Sequence, residues 1–137
     1  NSVELYALTW SEAYKDYVTV RPDWALNTAT VSTSGVSGRL AFIVADLDYD
    51  KELRLEWSTD NWATTNVQPM GVAGEKNKLV WNANLGNDFE RWVIDLDIPG
   101  SFPNIRYRLV YKHGIVNGAT PVEFTGGGAG GFLIEKK

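Results

Sequence analysis

Short segments with an apolar residue at every second position recur along this chain and restrict it to an all-β fold. In ELRLEW (52–57), Leu53, Leu55 and Trp57 alternate with charged residues. This alternation is typical of strands that bury one face. Clusters of Gly, Pro and Asn separate the segments, as turns do between short strands. The pattern predicts an antiparallel β-sandwich or barrel that forms one domain over residues 1–137.

Further segments show strand-like composition or alternation. These are VELYALT (3–9), YVTV (17–20), TATVST (29–34), RLAFIVADL (39–47), KLVW (78–81), ERWVIDLDI (90–98), NIRYRLVY (104–111), PVEF (121–124) and FLIE (132–135). NWAT (61–64) is interpreted as a further short strand, and TGGGAGG (125–131) as a glycine-rich turn.

Composition excludes several classes of function. A net charge of −4 argues against nucleic acid and anionic membrane surfaces as partners. No apolar run approaches the ~20 residues of a membrane span. The chain has no cysteine and one histidine, which excludes thiol catalysis and metal sites built on Cys or several His. The chain begins at Asn1 rather than Met, so we expect a processed chain or an excised module of a larger protein.

Two acidic motifs are candidate sites of metal binding or acid catalysis. Asp46, Asp48 and Asp50 have the spacing that opens an EF-hand loop, but Lys51 and Trp57 stand where that loop needs Gly and Glu. A second pair, Asp95 and Asp97, lies on the outer face of one predicted strand, roughly 7 Å apart from the strand rise. Outward solubilising charge is the favoured interpretation, and a glycosidase acid pair is the alternative. We expect no catalytic residue, metal or cofactor.

The six tryptophans carry most of the remaining information. Trp57 and Trp92 fall on apolar faces of predicted strands, so we assign both to the core, together with Trp81 at the end of KLVW. Trp10 and Trp24 lie near strand ends and are not assigned.

Trp62 differs from the others because it follows a polar turn. Asp60 and Asn61 precede it, and no large apolar residue lies two positions away on either side. An indole ring in such surroundings favours a ligand platform over the core. The ring can stack on the apolar face of a sugar while the Asp60 and Asn61 side chains bind hydroxyls. Tyr49, in LDYDKE, has a similar context.

Three motifs in the same order resemble family 21 carbohydrate-binding modules, the starch- and glycogen-binding type. They are LDYDKELRLEWSTDNWAT (47–64), NDFERWVIDLDIP (87–99) and IRYR (105–108). The resemblance implies an immunoglobulin-like, antiparallel β-sandwich of about eight strands, which binds α-glucans without catalysis.

The resemblance also implies site residues. Trp62, helped by Lys51, corresponds to the stacking platform of one site, and Phe124 to an aromatic residue of a late strand. Tyr49 corresponds to the aromatic residue of a second site, and Glu90 to a polar residue beside the sugar. One departure concerns specificity: the family has an aromatic-D-N-N run where this chain has FTGGGAGG (124–131).

These observations lead to one function and two alternatives. We expect a non-catalytic, secreted module that holds a covalently linked enzyme on a polysaccharide, with an α-glucan as the expected ligand. The first alternative is a glycogen-targeting or scaffold domain that recruits a protein, and a different polysaccharide ligand is also open. The second is a small hydrolase or lyase that uses the acidic clusters.

Overall fold

A computed structural model of the chain describes residues 19–46, 51–113, 122–126 and 131–134. Within these ranges it has ten strands: β1 (Val20–Pro22), β2 (Thr30–Ser32), β3 (Gly35–Ala45), β4 (Glu52–Ser58), β5 (Asn66–Gln68), β6 (Leu79–Gly86), β7 (Phe89–Pro99), β8 (Ile105–His113), β9 (Val122–Gly126) and β10 (Phe132–Ile134). One turn of 3-10 helix, Trp24–Leu26, joins β1 to β2.

The strands form two antiparallel five-stranded sheets. The first sheet has the order β1-β3-β7-β6, and β2 also pairs with β3. The second has the order β10-β8-β4-β5, and β9 also pairs with β8. The predicted antiparallel β-sandwich is therefore confirmed. Among the described residues, no helix is long and apolar enough to cross a membrane.

The core lies between the sheets and follows the predicted alternation. Leu53, Leu55 and Trp57 of β4 face Ile94 and Leu96 of β7 within one buried cluster. Two tyrosines of β8 join the sheets: the Tyr107 ring meets Phe42 of β3 edge to face at 6.1 Å, and the Tyr111 hydroxyl donates to the Ala45 carbonyl at 2.7 Å. Burial raises the pKa of Tyr107 to about 12.

Three predicted segments differ from the described strands or lie outside the described residues. Residues 61–64, interpreted as a short strand, instead form a turn after β4, so that prediction is wrong. The strand predicted over residues 3–9 lies outside the described residues. KLVW proves to be only the start of β6, which continues to Gly86 through polar residues.

Side chains close one open side of the sandwich. There the 3-10 turn between β1 and β2 meets β10, the edge strand of the second sheet. The ring of Trp24 contacts Phe132 edge to face at 5.4 Å, and Phe132 in turn lies 5.5 Å from Tyr107. The two sheets are therefore joined here by aromatic contacts.

Candidate functional site

The turn that follows β4 holds Trp62 in an uncommon backbone conformation. Asn61 and Trp62 both have positive φ, 57° and 69°. Asn tolerates this left-handed region, whereas a bulky Trp rarely adopts it. The Ser58 hydroxyl accepts the Trp62 N–H at 2.9 Å and donates to Asp60 Oδ1 at 2.8 Å. These two hydrogen bonds of Ser58 stabilise the turn and thereby fix the position of Trp62.

Asp60 has a structural task in this turn. Its Oδ1 accepts the backbone N–H of Thr64 at 2.9 Å as well as the Ser58 hydroxyl. The hydrogen bonds from Thr64 and Ser58 lower the pKa of Asp60. The carboxylate therefore stays charged and orders the turn. Asn61, the other predicted hydroxyl-binding residue, is exposed at its tip.

The Trp62 ring rests on Arg108, on the outer face of the second sheet. The guanidinium carbon lies 4.0 Å from the ring centroid, a cation–π contact. Arg108 Nε donates to Glu56 Oε1 at 2.7 Å, and Arg54 Nε donates to Glu56 Oε2 at 2.8 Å. Glu56 lies directly opposite Arg108 across β4 and β8. Trp62 is half-buried, so it is a supported surface ring and not a core residue.

Arg54 and Arg108 also set the charge state of Glu56. The Glu56 residue is only 9% exposed, and burial alone would raise its pKa. Its hydrogen bonds to the two guanidinium groups outweigh burial and lower the pKa of Glu56. Glu56 is therefore an ionised carboxylate, bonded to the arginine that supports the Trp62 ring.

Gly131 confines the edge of the Trp62 ring. A Cβ at Gly131 would lie 2.9 Å from Trp62 Cζ2 and 2.7 Å from the Tyr107 carbonyl oxygen. Gly131 also has a φ of 77°. Only glycine fits here without displacing the ring or the backbone of β8.

Replacing Gly131 with alanine tests this arrangement. We expect Gly131→Ala to lower the free energy of unfolding by about 1–2 kcal/mol from the left-handed backbone alone, with an added cost for the close contacts. Gly74→Ala is the matched control, because Gly74 has a φ of 95° and nothing within 4 Å of its Cβ position. Urea unfolding measures both variants. An equal loss for the two would show that the contact with Trp62 does not constrain the ring.

Lys51 and Glu90 meet each other but not Trp62. Lys51 Nζ lies 2.7 Å from Asp46 Oδ1 and 3.3 Å from Glu90 Oε1, and its side chain is 8% exposed. Burial alone would lower the pKa of Lys51, but the two acidic partners raise it overall. Lys51 precedes β4 and Trp62 follows it, so a strand roughly 20 Å long separates them. The structure places the two residues at opposite ends of β4.

Trp81 and Trp92 lie beside the Lys51–Glu90 pair. Trp92 Nε1 donates to Glu90 Oε1 at 3.2 Å, and Trp81 lies directly opposite Trp92 across β6 and β7. Trp92 packs against the core as predicted. Trp81 is 50% exposed, so its assignment to the core is wrong. Among the described strands, β6 lies at the edge of its sheet and pairs only with β7 at Trp81.

A second aromatic surface, Trp81 with Trp92 and Glu90, is thus present near the start of β4. Asn82 and Asn84 of β6 are exposed on the same strand, and the register of β6 shifts on either side of Ala83. The polar run NAN after Trp81 was the sequence signal that β6 leaves the core there. The assignment of Trp81 to the core rested on KLVW alone and left this run out.

The other two predicted site residues are only partly placed. Tyr49 lies outside the described residues. Phe124 lies in β9, opposite Tyr111, which itself lies opposite Leu53 near the start of β4. The backbone of Phe124 is therefore level with the Lys51 end of β4 and not with Trp62.

The acidic pair of β7 is arranged poorly for acid catalysis. Asp95 accepts two hydrogen bonds from Arg39, at 2.8 and 3.1 Å. These bonds lower the pKa of Asp95, so at neutral pH the group is an ionised carboxylate with no proton to donate. In the part of the chain that the structure describes, no cluster of three or more His, Cys, Asp or Glu residues suits a metal ion.

Comparison with solved structures identifies a shared fold. The chain resembles the solution structure of the carbohydrate-binding module of the muscle glycogen-targeting subunit of protein phosphatase-1, with a TM-score of 0.56. The match covers 90% of this chain and 81% of that one at 12% sequence identity. At this identity the likeness establishes the fold. No family model matches the chain, and no curated protein matches it in sequence.

Proposed function

We propose that this protein is a non-catalytic module that binds polysaccharide through two surface tryptophans. The observation that carries the proposal is that Trp62 and Trp81 lie at the surface in polar surroundings, one at each end of β4. Trp62 is seated on Arg108, and Trp81 lies beside Trp92, whose indole is hydrogen-bonded to Glu90. Flat indole surfaces with adjacent charged and amide groups suit the apolar faces and hydroxyls of sugars.

An α-glucan such as starch or glycogen is the proposed ligand class. The sequence resemblance to family 21 modules supports it, and so does a shared fold with a module of a glycogen-targeting subunit. The absence of the Asn run after Phe124 affects ligand choice more than fold, because specificity resides in the site. Two separate sites would strengthen attachment to a polymer through effective concentration.

The binding test compares the wild-type protein with variants that lack Trp62, Trp81 or both. We expect Trp62→Ala and Trp81→Ala each to weaken binding of glycogen and amylose about tenfold, by analogy with the value of stacking a nucleobase on an aromatic ring. The double variant should show no retention in affinity electrophoresis against either polysaccharide. Laminarin, a β-glucan, serves as the unrelated polysaccharide, and dextran as an α-glucan of a different linkage.

The control variant is Val72→Ala. Val72 is 70% exposed and belongs to neither aromatic surface, so its loss should leave retention unchanged. Circular dichroism and melting temperature establish that each variant is folded. Wild-type retention by the double variant would refute the proposed sites, and retention only by laminarin, a β-glucan, would refute the α-glucan assignment.

We further propose that the module serves a covalently linked enzyme outside the cell. The alternative of a glycogen-targeting scaffold has support from the same structural likeness, since that neighbour belongs to a phosphatase subunit. A flanking glycosidase or lyase domain in the gene would favour the enzyme-linked role. Turnover of any polysaccharide by the isolated domain would contradict both binding roles.

A further inference from the structure

Trp24 is a third tryptophan with a largely exposed side chain, although one edge of its ring contacts Phe132. Its side chain is 56% exposed, more than that of Trp81. Full burial of a large apolar side chain contributes about 1.5–3 kcal/mol, and much of that gain is forgone at Trp24. Leu26, in the same 3-10 turn, and Leu133 of β10 are also exposed, at 37% and 39%. Leu133 lies opposite Arg106 on the outer face of the second sheet, whereas Leu26 lines a separate cavity with Arg39 and Asp95.

The segment that carries Trp24 is firmly attached to the first sheet. The Asp23 carboxylate pairs with Arg91 Nε at 2.9 Å, and the Asp23 N–H donates to the Ala41 carbonyl at 2.8 Å. The Ala41 N–H donates to Asn27 Oδ1 at 2.8 Å. The 3-10 turn is thus fixed at both ends. The Trp24 ring within this turn is oriented by its edge-to-face contact with Phe132, at an interplanar angle of 87°.

Trp24 lies close to the Trp62 site. Gly131, which borders the Trp62 ring edge, is followed in the chain by Phe132, which contacts the Trp24 ring. The path from one indole to the other runs from Trp62 to Gly131, along one Cα–Cα step of about 3.8 Å to Phe132, and then to Trp24. The two rings are therefore at most roughly 20 Å apart. The two tryptophans flank the start of β10, Trp62 over the outer face of the second sheet and Trp24 at its edge.

We propose that Trp24 is a second stacking platform of the Trp62 site, so that one α-glucan chain passes over β10 and contacts both rings. This inference rests on the proposed function and adds to it a minimum ligand length. A short oligosaccharide reaches Trp62 alone, whereas a longer chain spans both rings. A ring that is already held in place loses little entropy when a sugar stacks on it, which favours binding.

The experiment compares maltotriose with maltoheptaose by isothermal titration calorimetry on the whole chain. Trp24→Ala is expected to raise the Kd for maltoheptaose about tenfold. The Kd for maltotriose should change little, because that ligand depends on Trp62. Trp62→Ala is expected to raise both values. Trp24→Tyr retains a flat ring and should recover most of the lost affinity for maltoheptaose.

Leu26→Ala is the matched control, since it removes an exposed apolar side chain from the same turn. It should leave both Kd values unchanged. Maltoheptaose binding by Trp24→Ala at wild-type affinity would overturn the inference and leave the proposed function intact. A wild-type protein that binds neither oligosaccharide nor glycogen would refute the proposed function and this inference together. Analytical ultracentrifugation adds an outcome: a wild-type dimer that Trp24→Ala dissociates would make the ring a self-association surface and overturn the inference.

Discussion

Trp57→Ala is expected to lower the free energy of unfolding by about 3–5 kcal/mol, the range for removing a buried aromatic side chain. Trp57 is 9% exposed and belongs to the cluster between the sheets. Its ring meets Phe102 edge to face at 5.8 Å, and its Nε1 donates to Gln68 Oε1 at 3.1 Å. The substitution would leave a cavity and an unpaired amide oxygen near it, and both add to the cost.

Trp81→Ala is the matched control in the same urea titration. Trp81 is 50% exposed, so its removal is expected to change the free energy of unfolding by less than about 1 kcal/mol. This comparison sets a tryptophan that folding requires against one proposed to bind ligand. Equal losses for Trp57→Ala and Trp81→Ala would place Trp81 in the core and remove the second aromatic surface from the proposed function.

The contrast between these two residues shows how far alternation in the sequence is informative. The period of two placed Trp57 and Trp81 each on the inward face of its strand, and both faces are as predicted. Burial depends in addition on what lies across from the strand. β4 lies between β5 and β8, whereas β6 is an edge strand whose register shifts just beyond Trp81. Strand order is a long-range property that the local pattern does not contain.

The surroundings of Trp62 also depend on strand pairing, which is a long-range property. Its polar neighbours in the sequence indicated a surface ring, and the ring is indeed half-buried at the surface. Its support, Arg108, reaches it through the register of β4 with β8, which sets Glu56 opposite Arg108. Nothing local to DNWAT specifies that pairing. Lys51 and Glu90 were both predicted as site residues, but their ion pair also depends on strand pairing.

Glu56→Gln is expected to lower the free energy of unfolding by about 2 kcal/mol at neutral pH, because it removes the shared negative partner of two arginines. Glu56 is 9% exposed, so Arg54 and Arg108 would both lose the buried carboxylate that they contact. Glutamine has nearly the same size as glutamate, so this variant leaves no cavity. It measures the effect of removing the charge. The Trp62 ring lies on Arg108, and its fluorescence should shift as well.

The effect should also depend on pH in a defined direction. The two guanidinium groups lower the pKa of Glu56 below that of the unfolded chain, about 4.3. A lowered pKa in the folded protein stabilises it above the unfolded value, and this stability is lost as pH falls through the folded value. The difference in unfolding free energy between wild type and Glu56→Gln should therefore be full at pH 7 and shrink below about pH 4.

Asp95→Asn separates an effect on Trp62 from a general loss of charge. Asp95 also pairs with an arginine and has a lowered pKa, but its partner Arg39 lies on the first sheet, away from Trp62. Its side chain is 34% exposed, so we expect a smaller loss of stability from this variant. The Trp62 contribution to fluorescence, obtained by subtracting the Trp62→Phe spectrum, should move in Glu56→Gln and not in Asp95→Asn. If the two variants gave the same spectral change, or if the Glu56→Gln difference were independent of pH, Glu56 would not hold Arg108 beneath the ring.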